Sequence, residues 1–232
     1  MRVLITRPRR DAETFAADVR ALGHTTFIEP LIDIVFADGP NLDLSGVQAL
    51  LLTSANGARA VARRTKERAV RVVAVGPATA AEAAAQGFTT VSESTGEGVD
   101  ALAQTIRQNL SPENGALIHA TGTVTAGDLK AALAGFNVRT AQFYDARAVD
   151  RLSPELIAEL EAGQIGAATF FSPRTAALFA QLLAGRESLC AKVAALTLSP
   201  AVAAALADIP FAKVMVAAHP NAAAMLDLLK SA

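Results

Sequence analysis

Short β-rich runs alternate with longer alanine-rich stretches along the whole chain, and this alternation constrains the fold more than any single residue does. Val3–Thr6 reads as a buried strand, and Asp11–Leu22 follows with apolar residues at helical spacing. Gly23 stands where a helix C-cap belongs, before a second strand at Thr25–Ile28. Ala49–Thr53, Val70–Val75 and Ala116–His119 each read as a strand leading into a helix. Later strands are expected at Ala141–Tyr144, Ala168–Phe171, Val193–Leu198 and Lys213–Ala217. Strands that alternate with helices pair in parallel, so the expected class is α/β. Alanine supplies 52 of 232 residues. It is the best helix former and covers little area, which predicts many closely packed helices.

The chain also echoes itself. Leu52–Gly57 (LTSANG) is echoed by Phe170–Thr175 (FFSPRT), and Val73–Ala80 (VAVGPATA) by Leu196–Ala203 (LTLSPAVA). The opening strand–helix–Gly23–strand is echoed by Ala116 through Gly135 to Tyr144. Chance likeness among alanine-rich segments is the competing explanation. Two similar halves predict a two-lobed α/β protein with a cleft between the lobes, a favoured place for a ligand.

Composition excludes several classes. With 52% hydrophobic and 19% charged residues the chain is too apolar to be disordered. Lys+Arg 21 against Asp+Glu 22 leaves a net charge of −1, which argues against a nucleic-acid or acidic-membrane binder. Cys190 is the only cysteine and there are three histidines, so neither a disulfide scaffold nor a structural zinc site is expected. No apolar run reaches the roughly 18–20 residues that span a bilayer. Met1–Pro8 turns polar after three apolar residues, without a signal-peptide core. A soluble cytoplasmic protein is expected.

Common catalytic signatures are missing from the sequence. No GxGxxG follows a strand; Gly96-Glu97-Gly98 lacks the third glycine and puts a carboxylate where phosphate would approach. There is no GxxxxGK[ST] loop, His24, His119 and His219 lie outside any HExxH, and Ser54 and Ser172 outside any GxSxG elbow. What recurs is a strand that ends in Ser or Thr and opens a helix: Thr53-Ser54, Gly76-Pro77-Ala78-Thr79, Ser172-Pro173 and Ser199-Pro200, with Thr95-Gly96 similar. In a parallel sheet these turns lie at the carboxyl ends of the strands, where α/β proteins bind ligands. Helix starts offer unpaired N–H groups and a positive dipole end, so several of them facing one cleft bind a polyanion without lysines. Plain N-capping is the alternative use of each hydroxyl. Arg7 follows the first strand, ahead of Arg9 and Arg10, and its fork fits a carboxylate. Tyr144, the only tyrosine, is expected at a strand end. Its phenol is either a proton donor to a leaving oxygen or a packed core side chain.

Taken together, the chain resembles the uroporphyrinogen-III synthase family, haem-pathway enzymes that close linear hydroxymethylbilane into a ring. The likeness runs almost end to end: Val3–Pro8 with Leu22-Gly23 and Pro30; Thr53–Gly57 as TSxNG; Val75–Ala80 as VGxxTA; Gly135–Val138 leading to Tyr144; Phe170–Pro173; and His219-Pro220. The resemblance implies two flavodoxin-like lobes with parallel sheets joined by a two-stranded linker. Residues 1–36 with 148–232 would form a discontinuous first lobe and 37–147 the second. It implies a monomer acting on a polycarboxylate, with no cofactor, metal, nucleic acid or membrane. Tyr144 would assist hydroxyl departure, while Arg7, Thr53, Ser54, Asn56, Gly76, Thr79, Ser172, Arg174 and Ser199 would hold carboxylates. Three places depart from the family pattern. Ser199-Pro200-Ala201-Val202 stands for G-P-T-T, His119-Ala120-Thr121-Gly122 for L-R-G, and Asn221 for a threonine. The competing functions are a non-catalytic tetrapyrrole-binding or sensing relative, and a generic two-lobed small-molecule binder.

Overall fold

In the computed structural model, which describes residues 1–96, 98–123 and 127–231, the alternation folds into eleven strands and nine α-helices among the described residues. Glu97, the carboxylate of the Gly96-Glu97-Gly98 turn, lies outside the described residues. The chain divides into two compact units, Met1–Asp33 with Arg147–Ala232, and Ile34–Ala146.

In the first unit a five-stranded parallel sheet has the order β2-β1-β9-β10-β11, from β1 (Arg2–Ile5), β2 (Thr25–Ile28), β9 (Ile165–Phe170), β10 (Ala194–Thr197) and β11 (Lys213–Val216). β1 is a continuous apolar run because both of its faces are covered. Leu4 packs with Leu156, Phe170 and Phe179 beneath α6 (Pro154–Glu161) and α7 (Pro173–Leu182). Val3 and Ile5 pack with Phe15, Val19 and Met225 beneath α1 (Arg9–Ala21) and α9 (Ala222–Leu229). Gly23, with φ of 84°, ends α1 in the left-handed conformation that the sequence predicts, its N–H donating to the Arg20 carbonyl at 2.9 Å.

In the second unit six strands have the order β3-β8-β7-β4-β5-β6, from β3 (Ile32–Phe36), β4 (Val47–Leu52), β5 (Val72–Ala74), β6 (Val91–Glu93), β7 (Ala116–Gly122) and β8 (Val138–Ala148). Five of these are parallel. β3 runs antiparallel to β8, as the bonds from Ala37 N to Phe143 O (2.8 Å) and from Val149 N to Leu31 O (3.1 Å) require. The chain passes between the units twice, once within each of these neighbouring strands. Leu50, Leu52, Ile118 and Phe143 pack beneath α2 (Ala55–Arg64) and α3 (Pro77–Ala85). Leu51, Leu117 and Val73 pack beneath α4 (Gly98–Asn109) and α5 (Leu129–Ala132).

Compared strand by strand, β2-β1-β9-β10-β11 corresponds to β8-β7-β4-β5-β6, and four of the five matched pairs, all but β11 with β6, are those the sequence echoes name. Their chain orders differ. The first unit reads 2-1-3-4-5, the flavodoxin order, whereas the second, counted from β4 and read in the same direction, is 5-4-1-2-3. One sheet is a circular permutation of the other.

Several boundaries differ from the sequence reading. β3 and the three-residue β6 were not expected, and Val70–Val75 shortens to Val72–Ala74. Tyr144 is not at a strand end, since β8 continues to Ala148. The physical reason is its two neighbours: β7 stops opposite Tyr144, at Gly122, while the pairing with β3 carries β8 onward.

Candidate active site

Doubly wound sheets bind ligands outside the carboxyl ends of their strands, at the point where the strand order reverses. In the second unit that point lies between β4 and β7, and in the first between β1 and β9.

Thr53 and Ser54 follow β4. Ser54 is extended (φ −157°, ψ 155°) and caps α2, its Oγ accepting from Gly57 N–H at 3.0 Å. Gly57 eases the close approach of α2 to β7: a Cβ there would lie a tight 3.3 Å from the Ala120 carbonyl oxygen. Ser54 Oγ is also 2.8 Å from the Tyr144 phenol oxygen. Tyr144 is 8% exposed, and its ring packs against Gly122, where a Cβ would be 2.6 Å from the nearest ring carbon.

Neighbouring residues of an extended chain point opposite ways, so Thr53 reaches the other face. There its Oγ1 is 3.4 Å from Nε2 of His119, which is 4% exposed. Burial pushes the His119 imidazole below its ordinary pKa of 6.5, with the Asp128 carboxylate opposing the shift. The sequence reading left His119 alone. Its closeness to Thr53, two residues past its β4 partner Leu51, becomes visible only with the register.

β5 ends one strand along, where Val75 N donates to the Leu52 carbonyl at 2.9 Å. Gly76 then begins α3, with Pro77 in the first turn and Thr79 buried. Asn56 is less available than its motif suggests, because its Oδ1 accepts from the Arg59 guanidinium at 2.9 Å.

In the first unit the reversal is stitched by hydroxyls. Thr6 Oγ1 donates to the Thr169 carbonyl (2.8 Å) and Thr169 Oγ1 to the Leu4 carbonyl (3.1 Å). Just beyond, the Arg7 guanidinium lies 4.2 Å from the Phe171 ring centroid and 3.8 Å from the Asp11 carboxylate. Ser172 caps α7, accepting from Thr175 N–H at 3.1 Å, and Arg174 is exposed on that first turn. Ser199 differs from the other serines: it precedes α8 (Pro200–Ala204), five residues long, and makes no side-chain cap bond.

Among the described residues, no group of three or more His, Cys, Asp or Glu side chains is arranged to hold a metal ion. Nor is any helix long and apolar enough to cross a membrane. A cavity of about 570 Å³ against β5, β6 and α4, lined by Arg71, Ser92, Thr105 and Asn109, contains none of the candidate residues.

The crystal structure of uroporphyrinogen-III synthetase from Helicobacter pylori 26695 matches with a TM-score of 0.65 and 17% identity, covering 100% of this chain and 99% of that one. A mutant uroporphyrinogen III synthase from the extremely thermophilic bacterium Thermus thermophilus matches with a TM-score of 0.54 and 21% identity, over 100% and 98%. At these identities the likeness establishes the fold. No curated protein sequence matches the chain. The family model described as uroporphyrinogen-III synthase HemD matches residues 13–227, nearly the whole length, and the chain belongs to the uroporphyrinogen-III synthase family.

Proposed function

We propose that this chain cyclises hydroxymethylbilane to uroporphyrinogen III, with loss of water and inversion of ring D, and that Tyr144 donates the proton. The observation that carries this reading is the Ser54–Tyr144 contact of 2.8 Å beside the strand-order reversal of the second unit. Ser54 Oγ already accepts from Gly57 N–H, so its own hydrogen is available to the phenol oxygen. The phenolic proton is then left for the substrate's terminal hydroxyl. As that proton transfers, the C–O bond breaks with its electron pair on oxygen and water departs. The pyrrole nitrogen lone pair fills the deficit on carbon, and Ser54 stabilises the developing phenolate. Ring D attacks that carbon through its own substituted carbon to form a spiro intermediate, the older bond from the substituted carbon to its bridge carbon breaks, and the bridge carbon rejoins ring D at the unsubstituted position, whose proton returns to the Tyr144 phenolate.

The rest of the work is holding a flexible polyanion in the productive fold. Thr53, Thr79 and the amides that open α2 and α3, including the turn at Gly76, hold carboxylates. Asn56, its Oδ1 engaged by Arg59, offers its Nδ2 hydrogens. Arg7, Ser172, Arg174 and the amides after Ser199 supply the first unit's share. On this reading the protein works as a cytoplasmic monomer, without cofactor, nucleic acid or membrane.

Tyr144→Phe removes the proton and keeps the ring. It should fold normally, lose roughly 10²-fold or more in rate, and raise the share of type I product that forms spontaneously. Gly122→Ala, which pushes the ring off its seat, should move activity in the same direction. A Phe variant with near-full type III output removes Tyr144 from the mechanism.

A further inference from the structure

α2 and α3 open at the carboxyl ends of neighbouring strands, and their first turns carry the groups assigned above to hold carboxylates. One turn further in, the two helices are joined by charge. Arg59 on α2 and Glu82 on α3 have side chains only 8% and 13% exposed, and Arg59 Nη2 donates to Glu82 Oε2 at 2.7 Å. Arg59 Nη1 donates to Asn56 Oδ1 at 2.9 Å, and Gln86 Nε2 donates to the other Glu82 oxygen at 2.7 Å. One guanidinium thus connects the first turn of α2 to the middle of α3.

Withdrawing two charges from water costs free energy that their attraction offsets only in part. Apolar residues of similar volume at such positions are often equally or more stabilising. Stability alone therefore gives a weak reason for the pair, whereas geometry gives a strong one: a planar fork fixes the distance and direction of two partners at once.

We propose that Arg59 and Glu82 are positioning residues, setting the spacing between the starts of α2 and α3 and through it the ratio of product isomers, without touching the substrate. The proposal rests on reading those helix starts as carboxylate holders. A misplacement of about 1 Å in such a site can cost roughly 10²-fold. Hydroxymethylbilane that is loosely held closes without inversion.

The test combines Arg59→Met with Glu82→Leu, which keeps volume and removes both charges. The unfolding midpoint should stay or rise, while KM rises roughly fivefold or more with kcat little changed, and the type I share increases. Hydrogen exchange should speed up at the Gly57 and Ala80 amides, which bond to Ser54 Oγ and to the Gly76 carbonyl. Arg59→Lys keeps the charge but gives up the fork. It should raise KM by a smaller factor, and it decides the matter if the double variant does not fold. Wild-type KM, isomer ratio and exchange in the folded variants overturn the proposal. If the unmodified protein makes no type III product, the functional reading falls, and exchange at Gly57 and Ala80 still decides whether the pair holds the helix starts.

Discussion

His119 lies on β7 with its ring enclosed and its Nε2 facing Thr53, and burial keeps that ring neutral below its ordinary pKa of 6.5. In the unfolded chain the imidazole takes up its proton as pH falls through about 6.5, while in the folded protein it does so only at lower pH. Stability therefore declines as pH falls from about 6.5 towards the lower folded value, and this contribution is flat above that window. Urea unfolding at a series of pH values from neutral down to mildly acidic should show the decline, and His119→Gln should flatten it. An unchanged slope in the variant assigns the decline to other groups. At this scale the sequence speaks unevenly. Ser54 and Tyr144 stand out, one in a recognisable TSxNG block and the other as the sole tyrosine. The Thr53–His119 and Arg59–Glu82 contacts do not, because each joins residues whose closeness depends on strand order or helix packing rather than on spacing along the chain.

Helix starts that look alike as sequence are unlike as structure, and the serines show it. Ser172 and Ser199 both precede proline after an apolar strand, yet only Ser172 makes a cap bond, and only its helix runs ten residues. Ser172→Ala should lower stability by about 1 kcal/mol, the usual worth of an N-cap, whereas Ser199→Ala should change it by less than about 0.5 kcal/mol. Thermal or urea unfolding of the two variants side by side checks the contrast, and equal losses contradict it. The inner parallel strands were legible because burial on both faces leaves a continuous apolar run, as in Val3–Ile5 and Leu50–Leu52. β6 was not, since its three residues, Val91–Glu93, lie at a sheet edge and are not buried. The upstream half of the antiparallel pair, β3, was missed as well. Its Asp33 is exposed and interrupts the apolar run. The echoes between the halves were readable because matched strands keep similar turns. The permutation of their chain order was not, because pairing leaves no mark on composition.

Across the whole molecule the separation of partners along the chain varies widely. In the second unit Leu50 pairs with Val72 and Leu51 with His119, whereas in the first Val3 pairs with Ala167. Long closures cost more chain entropy and form later. Pulse-labelled hydrogen exchange during refolding should protect β4 and β5 amides before those of the β1–β9 ladder, and the reverse order contradicts this. The same topology has a consequence for synthesis. At roughly 5–20 residues per second, β9 leaves the ribosome about 7–30 s after β2. Throughout that interval the inserted unit is emerging, and by its end the whole of it is free to close. The earlier β1–α1–β2 segment still lacks β9, the strand that will flank β1 on its other side. Leu4, fully buried in the end, spends those seconds without Leu156, Phe170 and Phe179, which pack with it in the finished fold. The nascent chain is thus open to aggregation, and to capture by a chaperone, at residues made well before those then emerging.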